Sequence, residues 1–240
     1  MILLRSALFN VFFFALTFVV TLMASIVRLV SPRHVLGFGH LWARCLVAGA
    51  RIICGIKLRV EGLEHIPEGG VLIASRHQSA FDTFVWLMLL PRCCYVLKHE
   101  LLRIPLFGGL LTASGMIPID RAAGGTAVRA LMRAGEIAAR NQRQIVIFPE
   151  GTRSDHGRPR PLQPGIAALA SRTGLPVVPV ATDSGLCWGR RAFRKRPGTI
   201  RIVVGTPVPA ETERGALMRL LETGMGVLDE QRIPPSRSMA

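Results

Sequence analysis

The sequence predicts an α/β fold, a mixed and mostly parallel sheet flanked by helices, with an N-terminal membrane-anchoring helical segment. Three observations carry that prediction. Seven short β-rich runs follow residue 56, several of them apolar throughout, as strands covered on both faces are. Helical patterns lie between them, and the alternation favours a single sheet sandwiched by helices. Ahead of them stands an uncharged run of 22 residues, Ser6 to Val27, in which only Asn10 is strongly polar.

As a helix that first run would extend about 33 Å, enough to cross a hydrocarbon core of about 30 Å. It is too long for the apolar region of a typical cleaved signal, no A-x-A site follows, and Arg28 and Arg33 flank its end. An uncleaved anchor is the expectation. Arg28, Arg33, Arg44, Arg51, Lys57 and Arg59 make the downstream side positive, which puts the main domain on the cytoplasmic side of the cell membrane. Residues 35–56 are apolar but interrupted by His40, Arg44 and Arg51, as in an interfacial helix. An anchor that dips into one leaflet and returns fits the same pattern. Three regions follow: anchor and interfacial helix over 1–56, the α/β domain over 57–231, and a frayed tail over 232–240.

The expected strands are 57–61, 71–76, 94–98, 116–119, 144–148, 177–181 and 199–204. A helix is predicted over 125–140, where Arg129, Arg133, Glu136 and Arg140 form a polar stripe opposite Val128, Leu131, Ala134 and Ala138. A second is predicted over 211–230 from Leu217, Leu221 and Leu228.

Charge and cysteine usage narrow the function. Thirty basic against 15 acidic residues leave a net charge of +15, which suits an anionic membrane, an anionic substrate or nucleic acid. One tyrosine in the chain and no zinc-finger spacing disfavour nucleic acid. Five cysteines, an odd number with no CxxC, make neither a disulfide framework nor a zinc site, so reduced thiols facing the cytosol are expected.

Two constellations carry chemistry. In 71–86 an apolar strand ends near Arg76 and a helix begins near Ser79, which sets His77 at the turn and Asp82 in the first helical turn. The imidazole can then fold back onto the carboxylate as an oriented general base. Ser79-x-x-Asp82 also reads as a capping box, which accounts for the aspartate without catalysis. In 145–154, IVIFPEGTRS, an apolar strand runs into a turn bearing Glu150, Gly151 and Arg153. Arg153 suits a bidentate phosphate contact, and Glu150 a polyol or an arginine; a glycine turn with surface charges explains the segment equally well. Lys98 and Arg121 likewise follow apolar strands, so three strands lead into basic residues. The basic stretch 188–196 suits an anionic membrane, an acidic carrier protein or plain solvation, and takes no site role.

The order HQSAFD, KHEL, GMIPIDR, FPEGTRS, LPVVPVA over roughly 57–208 resembles the 1-acyl-glycerol-3-phosphate acyltransferase family, whose hallmark is His, four residues, Asp. The resemblance implies that His77 is the general base and Asp82 its charge partner. It implies substrate-binding roles for Lys98, Arg121, Glu150, Gly151 and Arg153, and links Pro179 to the acyl-donor side. Pro118 departs from the usual bulky residue and suggests an edge strand there. The implied reaction is direct acyl transfer from acyl-CoA or acyl carrier protein to the sn-2 hydroxyl of lysophosphatidic acid, giving phosphatidic acid. No acyl-enzyme, metal or further cofactor is expected, and the partners are the membrane and its lipid. The rivals are another acceptor, such as lyso-ornithine lipid, and a basic membrane-surface or nucleic-acid binding module.

Overall fold

A computed structural model describes residues 1–120 and 123–229. Arg121 and the 232–240 tail lie outside the described residues, as does the end of the domain expected to close at 231. The seven strands are β1 (Ile56–Glu61), β2 (Val71–Ser75), β3 (Cys93–Lys98), β4 (Ile117–Ile119), β5 (Gln144–Ile147), β6 (Val177–Thr182) and β7 (Gly198–Val204). They form one sheet in the order β1-β7-β6-β2-β5-β3-β4. Every pairing is parallel except β6 with β7, so β2 to β6 point their C-terminal ends the same way. The sheet is therefore mixed and mostly parallel. Each strand falls within two residues of its expected bounds, because runs such as VLIAS and VVPVAT are buried at every position.

Alternation along those strands builds two cores. Val71 and Ile73 face one side with Val146 and Val178, and Leu72 and Ala74 face the other with Ile145 and Val177. Helices α5 (Gly125–Arg140), α6 (Gly165–Thr173) and α8 (Arg214–Gly226) cover the second face through Leu131, Ala138, Leu169, Leu217 and Leu221. The polar stripe of α5 explains why its expected bounds hold to the residue.

The first face is covered by the N-terminal helices and α3 (Asp82–Leu89). Helix α1 (Ile2–Val30) runs out, Pro32–His34 form a 3₁₀ turn, and α2 (Val35–Cys54) returns along it. Proline can open such a turn because it needs no N–H partner there. The two helices sit so close that a Cβ on Gly49 would strike the Phe12 ring. Helix α2 buries Ala43, Leu46, Ala50 and Cys54 in the domain core, so it lies between α1 and the sheet rather than apart at an interface. Three short helices, α4 (Phe107–Ala113), α6 and α7 (Ser184–Cys187), carry no strong periodicity and lie outside the helices the sequence predicts.

Prolines sit where the ladder tolerates them. Pro118 lies on β4, an edge strand, paired opposite Leu97. Pro179 is on interior β6, but its missing donor points away from β2, where the pairing with β7 has ended and Gly205 N–H donates to its carbonyl. It packs against Gly205 and Gly224, as core.

After β1, Gly62 is held at φ +74°, and a Cβ there would press on the Val204 carbonyl that also accepts from His65. Gly62→Ala is expected to destabilise the fold by about 2 kcal/mol, combining left-handed strain with overpacking. Thermal unfolding in detergent checks this; an unchanged midpoint would contradict the tight turn.

Candidate active site

Parallel strands β2, β3 and β5 deliver their ends to one edge of the sheet, where open α/β sheets bind ligands. Strand β2 ends at Ser75, and the chain turns through Arg76–Phe81 before α3 begins at Asp82. Asp82 folds back over this turn: Oδ2 accepts from Gln78 N–H at 2.7 Å and Ser79 N–H at 2.8 Å. The capping-box geometry is thus half realised, since Ser79 Oγ accepts from Phe81 instead of closing the reciprocal bond.

The same Oδ2 lies 3.3 Å from His77 Nδ1. An ionised carboxylate only accepts, so this contact suits the tautomer in which Nδ1 donates and leaves Nε2 as the acceptor. Phe148 stacks on the imidazole at 4.1 Å between centroids and 18° between planes, which fixes the ring's second degree of freedom. Asp82 is 1 % exposed, and its Oδ1 is buried with no hydrogen-bond partner among the described residues. Capping of the turn and contact with the imidazole, alternatives in the sequence, are met by one carboxylate.

The FPEGTR turn reaches His77 from β5. Glu150 turns inward: Oε2 accepts from His77 N–H at 3.2 Å, and Oε1 from Arg76 Nη1 at 3.2 Å and Arg160 N–H at 3.0 Å. Arg76 also pairs with Asp229 beyond α8. Ser154 N–H donates to the His77 carbonyl at 2.8 Å. Glu150 has no exposed side-chain surface and braces Arg76 rather than Arg153, so it presents no oxygen to a ligand. Gly151, at φ +73°, swings the chain outward so that Arg153 faces the cavity.

That cavity, about 550 Å³, has His77, Lys98, Gly151 and Arg153 in its lining. Most of the rest of its lining is apolar, including Val20 and Ala24 of α1, Leu36 of α2 and Leu110 of α4. Asp82 stands behind His77, Glu150 behind the turn, and Arg121 lies outside the described residues. Burial chiefly lowers the Arg153 pKa; Asp82 pulls it back up, while Arg190 and Arg191 push it down.

Several participants carried no signal that sequence reasoning used. Phe148 and Arg76 adjoin the motifs but have no reactive chemistry. Arg190 and Arg191 line the same cavity, although the basic stretch 188–196 read as equally suited to solvent.

Similarity to known proteins bears on the family and the fold. The family model described as Acyltransferase matches residues 57–183. The 1-acyl-sn-glycerol-3-phosphate acyltransferase of Pseudomonas aeruginosa is 38 % identical over 172 residues, which are 72 % of this chain and 67 % of that protein. The enzyme of that name from Limnanthes douglasii is 33 % identical over 71 % of this chain and 60 % of its own length. The human alpha form is 30 % identical over 70 % and 60 %. The chain thus aligns with about three fifths to two thirds of each relative. The crystal structure of PlsC, the 1-acyl-sn-glycerophosphate acyltransferase of Thermotoga maritima, superposes with a TM-score of 0.76 at 22 % identity, over 98 % of this chain and 100 % of that one, which establishes the shared fold.

The neighbouring thiols are unsuited to nucleophilic work. Burial raises Cys93 well above its usual range and Cys94 to about 11. At pH 8 only about one Cys94 in a thousand is then a thiolate. Iodoacetamide on the folded protein is expected to label half-buried Cys45 and spare Cys93 and Cys94; mass spectrometry showing equal labelling would contradict this.

Proposed function

The chain belongs to the acyltransferase family, and we propose that it transfers an acyl group from a thioester to the sn-2 hydroxyl of 1-acyl-sn-glycerol 3-phosphate, giving phosphatidic acid. The observation that carries this reading is the single cavity joining an oriented imidazole, basic residues and a long apolar wall. The basic part of its lining suits a phosphate beside a hydroxyl, the apolar part an acyl chain.

In this reading His77 Nε2 takes the proton of the sn-2 hydroxyl as its oxygen attacks the thioester carbonyl. The tetrahedral intermediate collapses with cleavage of the C–S bond, and the imidazolium returns its proton to the thiolate. Asp82 steadies the imidazolium and keeps the tautomer. Lys98, Arg121 and Arg153 bind the acceptor phosphate, which brings the hydroxyl to the base, a positional gain. Glu150 acts on the reaction by holding the His77 backbone. The donor is acyl-CoA or acyl carrier protein.

The lipid enters from a membrane leaflet. Helix α1 is long and apolar enough to cross a bilayer, and its outward face exposes Leu4, Leu8, Val11, Phe14, Phe18 and Leu22. Both of its ends meet the catalytic domain, however. Near one end Ser6 and Asn10 bind Lys195; near the other the Arg28 guanidinium lies against Gly109. A helix about 43 Å long that spanned the bilayer would carry one of these ends away from its partner. This favours α1 lying in one leaflet, with its inner face walling the cavity. The basic flanks and five free cysteines favour the cytoplasmic leaflet.

The test is turnover by purified protein given acyl-CoA or acyl carrier protein and a lyso-lipid panel that includes lyso-ornithine lipid, with products weighed by mass spectrometry. Phosphatidic acid is the expected main product, and a phosphate-free acceptor used in preference would contradict the reading. His77→Ala is expected to lower turnover about 10²- to 10⁴-fold. Near-normal turnover by that variant would remove His77 as the base.

A further inference from the structure

The segment after α7 is a closed loop built to hold two arginines in place. Its ends meet where Arg196 N–H donates to the Cys187 carbonyl at 2.8 Å. Its base is pinned to the catalytic turn, since Gln78, next to His77, accepts from Gly185 N–H at 3.1 Å. Its far side is plugged into α1 by Lys195, only 2 % exposed, whose Nζ donates to Asn10 Oδ1 at 2.7 Å and lies 4.6 Å from the centre of the Trp188 ring. Within this frame Arg191 adopts φ +54°, an uncommon conformation for a side chain of its size.

The frame directs both arginines at the reaction cavity. Arg190 and Arg191 line it beside His77 and Arg153. A second cavity of about 340 Å³ lies against α1, and Arg153 and Arg191 belong to the wall between the two. Among the described residues none of the three guanidinium groups has a carboxylate within ion-pair distance. Gathering like charges around a half-buried group is unfavourable, as their push on the Arg153 pKa reflects, and backbone strain adds to the cost. A doubly charged anion removes the repulsion. A phosphomonoester near neutral pH carries close to two charges, a phosphodiester only one.

We infer that Arg190 and Arg191 complete the acceptor phosphate site and make it selective for a phosphomonoester over phosphodiester lyso-lipids. The inference rests on the lysophosphatidic acid reading above and assigns that site residues from outside the family's motifs. Distance favours the acceptor over the donor: the phosphate of a glycerol 3-phosphate sits only a few bonds from the sn-2 hydroxyl, whereas a pantetheine arm separates a thioester from its nearest phosphate.

The double variant Arg190→Gln with Arg191→Asn tests this, because asparagine tolerates the left-handed backbone at 191. Arg194→Gln, on the same loop but lining neither cavity, is the control. Steady-state constants are measured with lysophosphatidic acid and lysophosphatidylglycerol, the latter by competitive inhibition if it is not turned over. The double variant is expected to raise KM for lysophosphatidic acid at least about tenfold, with kcat within about threefold, as loss of charge-assisted bonds does. The constant for lysophosphatidylglycerol should move little, so selectivity shrinks, and Arg194→Gln should behave as wild type. Unchanged acceptor KM and selectivity in the double variant would overturn the inference, as would a rise confined to the acyl donor. Wild-type protein that makes no phosphatidic acid would overturn both this inference and the proposed function, a result read before any variant is compared.

Discussion

Glu150 has no exposed side-chain surface, yet its two oxygens take hydrogen bonds from the Arg76 guanidinium and from the main chain of His77 and Arg160. An ionised carboxylate at that depth is costly unless every lone pair is used. Here the partners that satisfy it are also the groups that must be positioned. The bond to His77 N–H fixes the turn that ends β2, while Glu150 itself begins the turn that ends β5. Ser154 closes the same junction from the other side by donating to the His77 carbonyl. The relation of His77 to Arg153 therefore follows from one buried charge, and Asp229 ties the junction to the last helix through Arg76.

With that junction set, each remaining part of the site has one task. Asp82 spends one oxygen on the turn and the imidazole together, and Phe148 removes the ring's remaining freedom. The N-terminal hairpin supplies the apolar wall the domain lacks. Without α1 and α2 the cavity would keep its basic residues and lose much of its acyl-compatible surface. The two faces of α1 differ accordingly: Phe14 and Phe18 are exposed on its outer face, while Val20 and Ala24 line the cavity.

Much of this was legible in the sequence. Fully apolar runs bounded by turn residues have few alternatives to buried strands, which is why seven strands and α5 were located from pattern alone. His77, Asp82 and Arg153 stand out as candidates through the order of the motifs around them; singly, a turn histidine, a helix-cap carboxylate and a charged glycine turn explain them as well. Glu150 was read from the same motif, but its direction was not, since a carboxylate in a turn looks alike whether it faces ligand or core. Short helices α4, α6 and α7 escaped because so few turns carry too little periodicity. The arginines of 188–196 escaped for a different reason. A basic run in a loop is ordinarily solvated, and only the tethers through Gln78 and Lys195 distinguish this one.

The central claim is that Glu150 organises the site from within the protein and does not touch substrate. Equilibrium unfolding and steady-state kinetics of Glu150→Ala test it most directly. Removing the carboxylate leaves Arg76 with Asp229 alone and the His77 and Arg160 N–H groups without their acceptor, which is expected to cost about 3 kcal/mol or more, with turnover falling as His77 loses its support. Wild-type stability with a raised acceptor KM as the only defect would contradict the claim and return Glu150 to the substrate.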